Sequence, residues 1–187
     1  GTTRKLAGEL ETGQSDSELL ERVVSFYEKA LAESPEALAY LEKRGLNDPE
    51  LLKTFRLGYA NRTLSYRLPE KNRKEGAAIR EQLQSVGILR ESGHEHFNGS
   101  ITVPVFNEAG QVVEMYGRKV GERLRKGTPK HLYLPGPHRG IFNADEVFSS
   151  EEVILCESLI DALTFWCAGF RNVTAIYGVE GFTDELK

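Results

Sequence analysis

The segment from residue 151 to 183, EEVILCESLIDALTFWCAGFRNVTAIYGVEGFT, constrains the fold more than any other part of the chain. Val153, Ile154, Leu155 and Cys156 form an apolar run of strand length, Ser158 to Ala168 carries apolar residues at helical spacing, and Val173 to Tyr177 is a second strand-like run. Two strands joined through a helix lie parallel, because only a parallel pair needs so long a crossover. The segment is therefore a βαβ unit. Glu157 stands directly after the first strand, where strand meets helix. Ligands in open α/β sheets bind at the carboxyl ends of strands, which makes Glu157 a candidate site residue. A carboxylate near a helix N-terminus also complements the helix dipole, so position alone leaves a structural role equally open.

Size and composition set the frame around this unit. The chain has 187 residues, 40% of them apolar, enough for one ordinary domain or two small ones with a packed core. No apolar run approaches the roughly 18 residues of a membrane span, and GTTRKLAGEL at the start has no signal-like apolar stretch, so a soluble, cytoplasmic protein is expected. The two cysteines, Cys156 in the strand and Cys167 in the helix, have no Cys or His at metal-ligand spacing and are expected as reduced core residues. His94, His96, His131 and His138 also lack metal spacing and receive no role.

The net charge of −4 argues weakly against a nucleic-acid partner, but the average hides a segregation along the chain. Between Gly117 and Gly140 lie Arg118, Lys119, Arg123, Arg125, Lys126, Lys130 and Arg139 against the single acid Glu122. A second basic cluster comprises Arg62, Arg67, Lys71, Arg73, Lys74 and Arg80. From Asp145 onward acids dominate, with Glu157 and Asp161 among them. A basic middle and an acidic end suit a polyanion path that leads to a metal-binding corner, although charge runs are also common on solvated loops.

Residues 1–16 are polar and without period, and are expected to be a flexible lead. The apolar spacing predicts a helix from Ser17 to Glu33, capped by Asp16 or Ser17, a second from Pro35 to Lys43 stopped by Gly45, and a third from Pro49 to about Phe55. Leu57 to Ala60 reads as a short extended piece and Asn61 to Arg73 as a loop. Lys74 to Val86 reads as a helix ended by Gly87. SITVPVFNEAGQVVEMYGRKVG places two β-branched segments around Asn107-Glu108-Ala109-Gly110, a hairpin whose Pro104 calls for an edge or a bulge. Extended pieces are expected at His131 to Leu134 and around Ile141 and Phe142, and a helix is expected to begin at Thr183. A βαβ unit followed by so little chain leaves its second strand without cover, so Lys187 is expected to be a cut rather than a natural end.

These residues resemble the bacterial replicative primases of DnaG type, in particular their RNA-polymerase core with its TOPRIM subdomain. The likeness runs from about residue 37 to 187. In YLEKRGLNDPELLKTFRLGYA, Tyr40, Leu41, Arg44, Gly45, Leu46, Phe55, Leu57, Gly58, Tyr59 and Ala60 are similar to the family pattern. SVGIL, the hairpin with Gly117-Arg118, TPKHLYLP, HRG and ILCESLIDALTFWCAGFRNVTAIYG continue it. The resemblance implies that Lys130 stands at the family's active-site lysine, Arg139 at a position usually lysine, and Glu157 at the strand-end acid of TOPRIM, as metal ligand or general acid/base. The sequence departs at Asn98 and Ser100, where primases commonly carry arginines, at Tyr133 and Leu134, where they have Asn-Ser, and in a shortened loop from Pro135 to Arg139. It contains neither the family's N-terminal zinc module nor the Asp-x-Asp motif that follows the second TOPRIM strand.

The implied fold class is α+β / α/β. A helical and hairpin-containing core-like part (17–150) follows the lead (1–16) and precedes the start of a TOPRIM βαβ unit (151–187). The implied chemistry is nucleotidyl transfer. RNA primers would be made from NTPs on a single-stranded DNA template, with Mg²⁺ or Mn²⁺ held in a site that is incomplete here, and with a replicative helicase as a possible partner through parts absent here. Mg²⁺ uses one or two carboxylates plus phosphates. Glu157 would bind the metal, and Asp161, one helical turn on, would orient Glu157 or simply face the helix surface. Arg118, Lys130 and Arg139 are the cations expected on nucleic acid or NTP, with Tyr116 and Tyr133 as stacking candidates or core residues. Two other readings stay open: a TOPRIM nuclease or topoisomerase-like strand-cleaving enzyme, and a non-catalytic single-stranded-DNA-binding module.

Overall fold

The computed structural model describes residues 13–178 and 181–186, so most of the expected lead and residues 179, 180 and 187 lie outside the described residues. Helix α1 (Asp16–Ala32) is capped by Ser15 rather than by Asp16 or Ser17. Glu18 decides this: its N–H donates to Ser15 Oγ at 3.2 Å, and its carboxylate accepts from the Ser15 N–H at 2.9 Å, which closes a capping box. Helices α2 (Pro35–Lys43) and α3 (Pro49–Thr54) both begin on proline, where the missing N–H costs nothing. Asp48 Oδ1 caps α3 by accepting from Leu51 N at 2.8 Å.

Strand β1 (Gly58–Tyr59) follows, then α4 (Leu64–Arg67) and α5 (Lys74–Ser85). Helix α4 lies within the stretch expected as a loop. Its apolar anchors, Leu64 and Leu68, are buried among basic neighbours, and its first N–H donates to Glu95 Oε1 at 3.0 Å. Tertiary contacts that no local period announces therefore set this helix. Strands β2 (Ser100–Phe106), β3 (Val112–Lys119) and β4 (His131–Tyr133) complete an antiparallel sheet in the order β1-β2-β3-β4. Asn107 Oδ1 accepts from Ala109 N and Gln111 N at 3.0 and 2.9 Å, which folds the expected hairpin turn. The register slips between Val105 and Phe106, next to that turn. β1 pairs only with Ile101 and Thr102, so the missing N–H of Pro104 interrupts no ladder.

Ile141 and Phe142 belong to no strand. They lead into α6 (Ala144–Ser149), a helix with no buried residue and hence no apolar stripe to reveal it. Asn143, at φ +58°, holds this corner by donating Nδ2 to the carbonyls of Arg171 and Val173. Strand β5 (Ile154–Cys156), helix α7 (Leu159–Cys167) and strand β6 (Val173–Ala175) form the expected parallel unit, with Ile154, Leu155 and Cys156 opposite Val173, Thr174 and Ala175. Cys156 is buried, but Cys167 is exposed on the outer face of α7 and not in the core. The helix expected at Thr183 is a 3₁₀ turn over Asp184–Leu186.

The four-stranded sheet is buried on both faces, with the polar Thr102, Glu114 and Lys119 included, so burial along β2 and β3 does not alternate between core and solvent. One face packs Met115, Leu132 and Phe97 against Leu19, Val23 and Tyr27 of α1 and Ile79 and Leu83 of α5. The other packs Ile101, Val103 and Tyr116 with α2, α3 and the βαβ unit, where the Phe55 ring meets Phe142 at 4.7 Å and Trp166 at 5.3 Å. Gly58 permits the close approach of α1, since a methyl there would meet Tyr27 Cβ at 2.6 Å. No helix among the described residues is long and apolar enough to cross a membrane.

Candidate nucleic-acid and metal site

Glu157 follows the last residue of β5 and is exposed. The next residue, Ser158, is extended and opens α7, but its hydroxyl does not cap the helix. It donates instead to Asp161 Oδ2 at 2.6 Å, which turns the Asp161 carboxylate back toward the strand end where Glu157 lies. Glu157 precedes the helix and Asp161 lies in its first turn, so both acids stand at the junction of β5 and α7.

Arg118 belongs to β3, on the sheet face that carries Tyr116. Its Nε donates to Tyr40 Oη at 3.2 Å, and its Nη1 donates to His131 Nε2 at 2.5 Å. Strand register makes the second contact, because Arg118 is directly opposite His131. A guanidinium only donates, so His131 Nε2 is the acceptor, the imidazole is neutral, and its Nδ1–H donates to Tyr116 Oη at 2.8 Å. Burial, then the Arg118 and Arg44 guanidiniums, hold His131 below the ordinary histidine value, while Asp161 and Glu157 pull it the other way. Both carboxylates therefore lie within Coulombic reach of the imidazole. Burial, with the charge of Asp161 among the smaller causes, pushes the Tyr116 phenol far above its ordinary value. Arg44 lies over the Tyr40 ring at 5.2 Å and adds a second cation from the end of α2.

The structure thus sets Arg118 on His131 at the β3–β4 edge, with Glu157 and Asp161 at the start of α7 within Coulombic reach of the imidazole. Lys130 sits beside them, exposed, and its carbonyl accepts from Lys119 N at 3.0 Å. Strand alternation turns its side chain to the face opposite His131. Arg139 lies elsewhere. Gly140 packs against Val105 and Val113 near the hairpin turn, and Arg139's own carbonyl accepts from Tyr177 Oη at 2.9 Å. From Val113 to Arg118 the strand rises about 17 Å. Tyr133 is half-buried, its ring 5.5 Å from Tyr116 and 5.6 Å from Tyr177, so it serves the core more than an open stacking surface.

His131 and Arg44 were not among the sequence candidates. The one local clue was that TPKHLYLP pairs with GRK, which places a histidine opposite an arginine once the register is known. Among the described residues no group of three or more His, Cys, Asp or Glu side chains is arranged to hold a metal. The Glu157 and Asp161 carboxylates suit a hard, largely hydrated cation that needs only one or two protein oxygens and takes its other ligands from water and phosphate.

Comparison with known proteins gives the family. The DNA primase of Helicobacter pylori (strain J99 / ATCC 700824) is 28% identical over 181 residues, covering 88% of this chain but only 30% of the relative's own length. A solved structure of the DnaG catalytic core superposes with a TM-score of 0.72 at 23% identity, covering 88% of this chain and 55% of that one. A structure of the DnaG primase catalytic domain bound to ssDNA gives 0.69 at 22% identity, covering 86% and 54%. At these identities the structural likeness is one of fold. The family model for the N-terminal domain of the DNA primase catalytic core matches residues 26–151, more than half of the chain, and on that match the chain belongs to this primase family.

Proposed function

We propose that this chain is part of the catalytic core of a DNA primase-like nucleotidyltransferase that makes RNA primers on single-stranded DNA, and that residues 151–187 begin its TOPRIM subdomain. The observation that carries the reading is the convergence of Glu157 and Asp161 with Arg118 and His131 at the strand end, in a chain of the primase family. Glu157 would hold Mg²⁺ or Mn²⁺ with water and NTP phosphates. The metal would neutralise phosphate charge and activate the attacking hydroxyl. Asp161, fixed by Ser158, would add a second negative charge at the same strand–helix junction. Arg118, held by Tyr40 and His131, presents a pre-oriented cation to phosphate. Lys130 would contact the strand as it crosses the sheet edge. Arg139, at the far end of the hairpin, would touch the same strand only farther along its path. Binding of ssDNA by a protein of the same fold supports a single-stranded template as the ligand.

The test is salt-dependent binding of labelled single-stranded DNA to wild type and Arg118→Ala. Loss of one phosphate contact makes the slope of log Kd against log salt shallower by about 0.7. Wild-type affinity and slope in the variant would sink the assignment of Arg118 to the nucleic-acid path. A strand-cleaving enzyme would shorten the labelled DNA when Mg²⁺ is added, and a primase would leave it intact.

A further inference from the structure

We infer that a second, separate pocket binds phosphate: the concavity between β1, the 98–99 turn and the loop 121–128. It is a cavity of about 470 Å³ into which three chain segments bring Arg62, Lys119, Arg123 and Arg125. The acid that lines it is Glu36, and the Glu36 carboxylate already accepts from Tyr59 Oη at 3.2 Å. The nearby Glu122 is paired with Lys43 at 3.1 Å. Among the described residues no ion pair joins any of the four cations to a carboxylate.

Lys119 shows that the pocket is built and not a loose basic surface. It is 9% exposed, opposite Ser100 in the sheet, and its ammonium donates to the Asn98 backbone and side-chain oxygens. Asn98 is oriented for this by donating its own Nδ2 to the Glu95 carbonyl at 2.9 Å. Both acceptors are neutral, so a charge is held out of water without a counter-ion, an arrangement that costs free energy unless an anion arrives. Burial, then Arg90 and Arg62, pull the Lys119 ammonium below its ordinary value. Arg62 lines the same pocket. Its backbone is left-handed at φ +68°, rare for arginine, and its guanidinium lies against Gly99, where a methyl would meet Nη2 at 3.0 Å. A phosphate in the cavity would take a planar fork from Arg62 and a point charge from Lys119, with Arg123 and Arg125 closing over it from the loop.

The phosphate can belong to the diester backbone of a single strand or to the polyphosphate of a nucleotide, and the experiment separates them. Binding of inorganic tripolyphosphate by calorimetry and of a labelled oligothymidylate by anisotropy is measured for wild type, Lys119→Met, Arg62→Asn and Arg118→Ala. Methionine keeps the buried stem of Lys119, and asparagine tolerates the left-handed backbone at Arg62, so that a folding failure in one leaves the other as the test. Each is expected to weaken its ligand about tenfold, the effect of one lost charge-assisted hydrogen bond. If tripolyphosphate binding falls, the pocket takes a nucleotide tail; if only the oligomer falls, it takes backbone phosphate. Unchanged affinity for both ligands in the folded variants overturns the pocket. That result, with oligomer binding weakened by Arg118→Ala, would leave the proposed template edge standing, so the two readings fail separately.

Discussion

Replacing Glu114 tests how the hairpin sheet is tied to the βαβ unit. Glu114 is 1% exposed in the middle of β3, where one carboxylate oxygen accepts from Met115 N and Leu134 N, each at 2.9 Å, and the other from His138 Nδ1 at 2.8 Å. His138 stacks on Tyr177 at 4.8 Å, and Tyr177 Oη donates to the carbonyls of Arg139 and Gly140. One carboxylate therefore organises a chain of contacts from β3 to the end of β6. Glu114→Ala leaves two N–H groups without an acceptor, at about 1–3 kcal/mol each, while the partly exposed His138 turns to water, so the loss is about 2–6 kcal/mol. Glu114→Gln keeps an oxygen for both N–H groups and exchanges charged for neutral bonds, a loss of about 1 kcal/mol. With a urea slope of about 2 kcal/mol/M, the alanine midpoint falls by about 1–3 M and the glutamine midpoint by about 0.5 M. Burial lifts Glu114 above the ordinary carboxylate value, so its contribution to stability is full below that value and is lost as pH rises through the raised one; Glu114→Gln flattens stability in that window. Equal midpoints for the two variants would refute the reasoning, because glutamine keeps the acceptor oxygen that alanine lacks.

Two further outcomes follow from the same contacts. Because burial and Arg118 depress His131, the unfolded chain takes up a proton there first, and stability falls as pH drops below the ordinary value of 6.5; the imidazole NMR titration has a midpoint under 6.5 that rises in Arg118→Ala, and an unmoved midpoint would disprove the coupling. Gly117→Ala sets a methyl 2.4 Å from Phe97 Cδ1, an overpacking worth about 1–3 kcal/mol in urea unfolding, part of which Phe97→Leu recovers.

Where local physics decides, the sequence was readable. Pro35 and Pro49 mark helix starts, Asn107 and Gly110 mark the hairpin, and the apolar runs from Val153 to Tyr177 mark a parallel pair with Glu157 at its end. Where tertiary contacts decide, it was not. Helix α4 hangs on buried Leu64 and Leu68 in a basic stretch, and α6 buries nothing, so neither shows a stripe. The exposure of Cys167 depends on which face of α7 turns inward, a choice made by Trp166 and Leu163 against Phe55 and its neighbours. The cations were found as residue types but not as a cluster. Only the register of β3 with β4 places Arg118 on His131, and only the length of the hairpin separates Arg139 from both.

The most direct measurement is template-directed incorporation of labelled NTPs on single-stranded DNA with Mg²⁺ by the complete protein, wild type against Glu157→Gln. The account predicts short RNA products from wild type and a loss of about a hundredfold or more in the variant, the scale of removing a ligand to a catalytic metal. Wild-type synthesis by Glu157→Gln, or cleavage of the DNA with no incorporation, would contradict it.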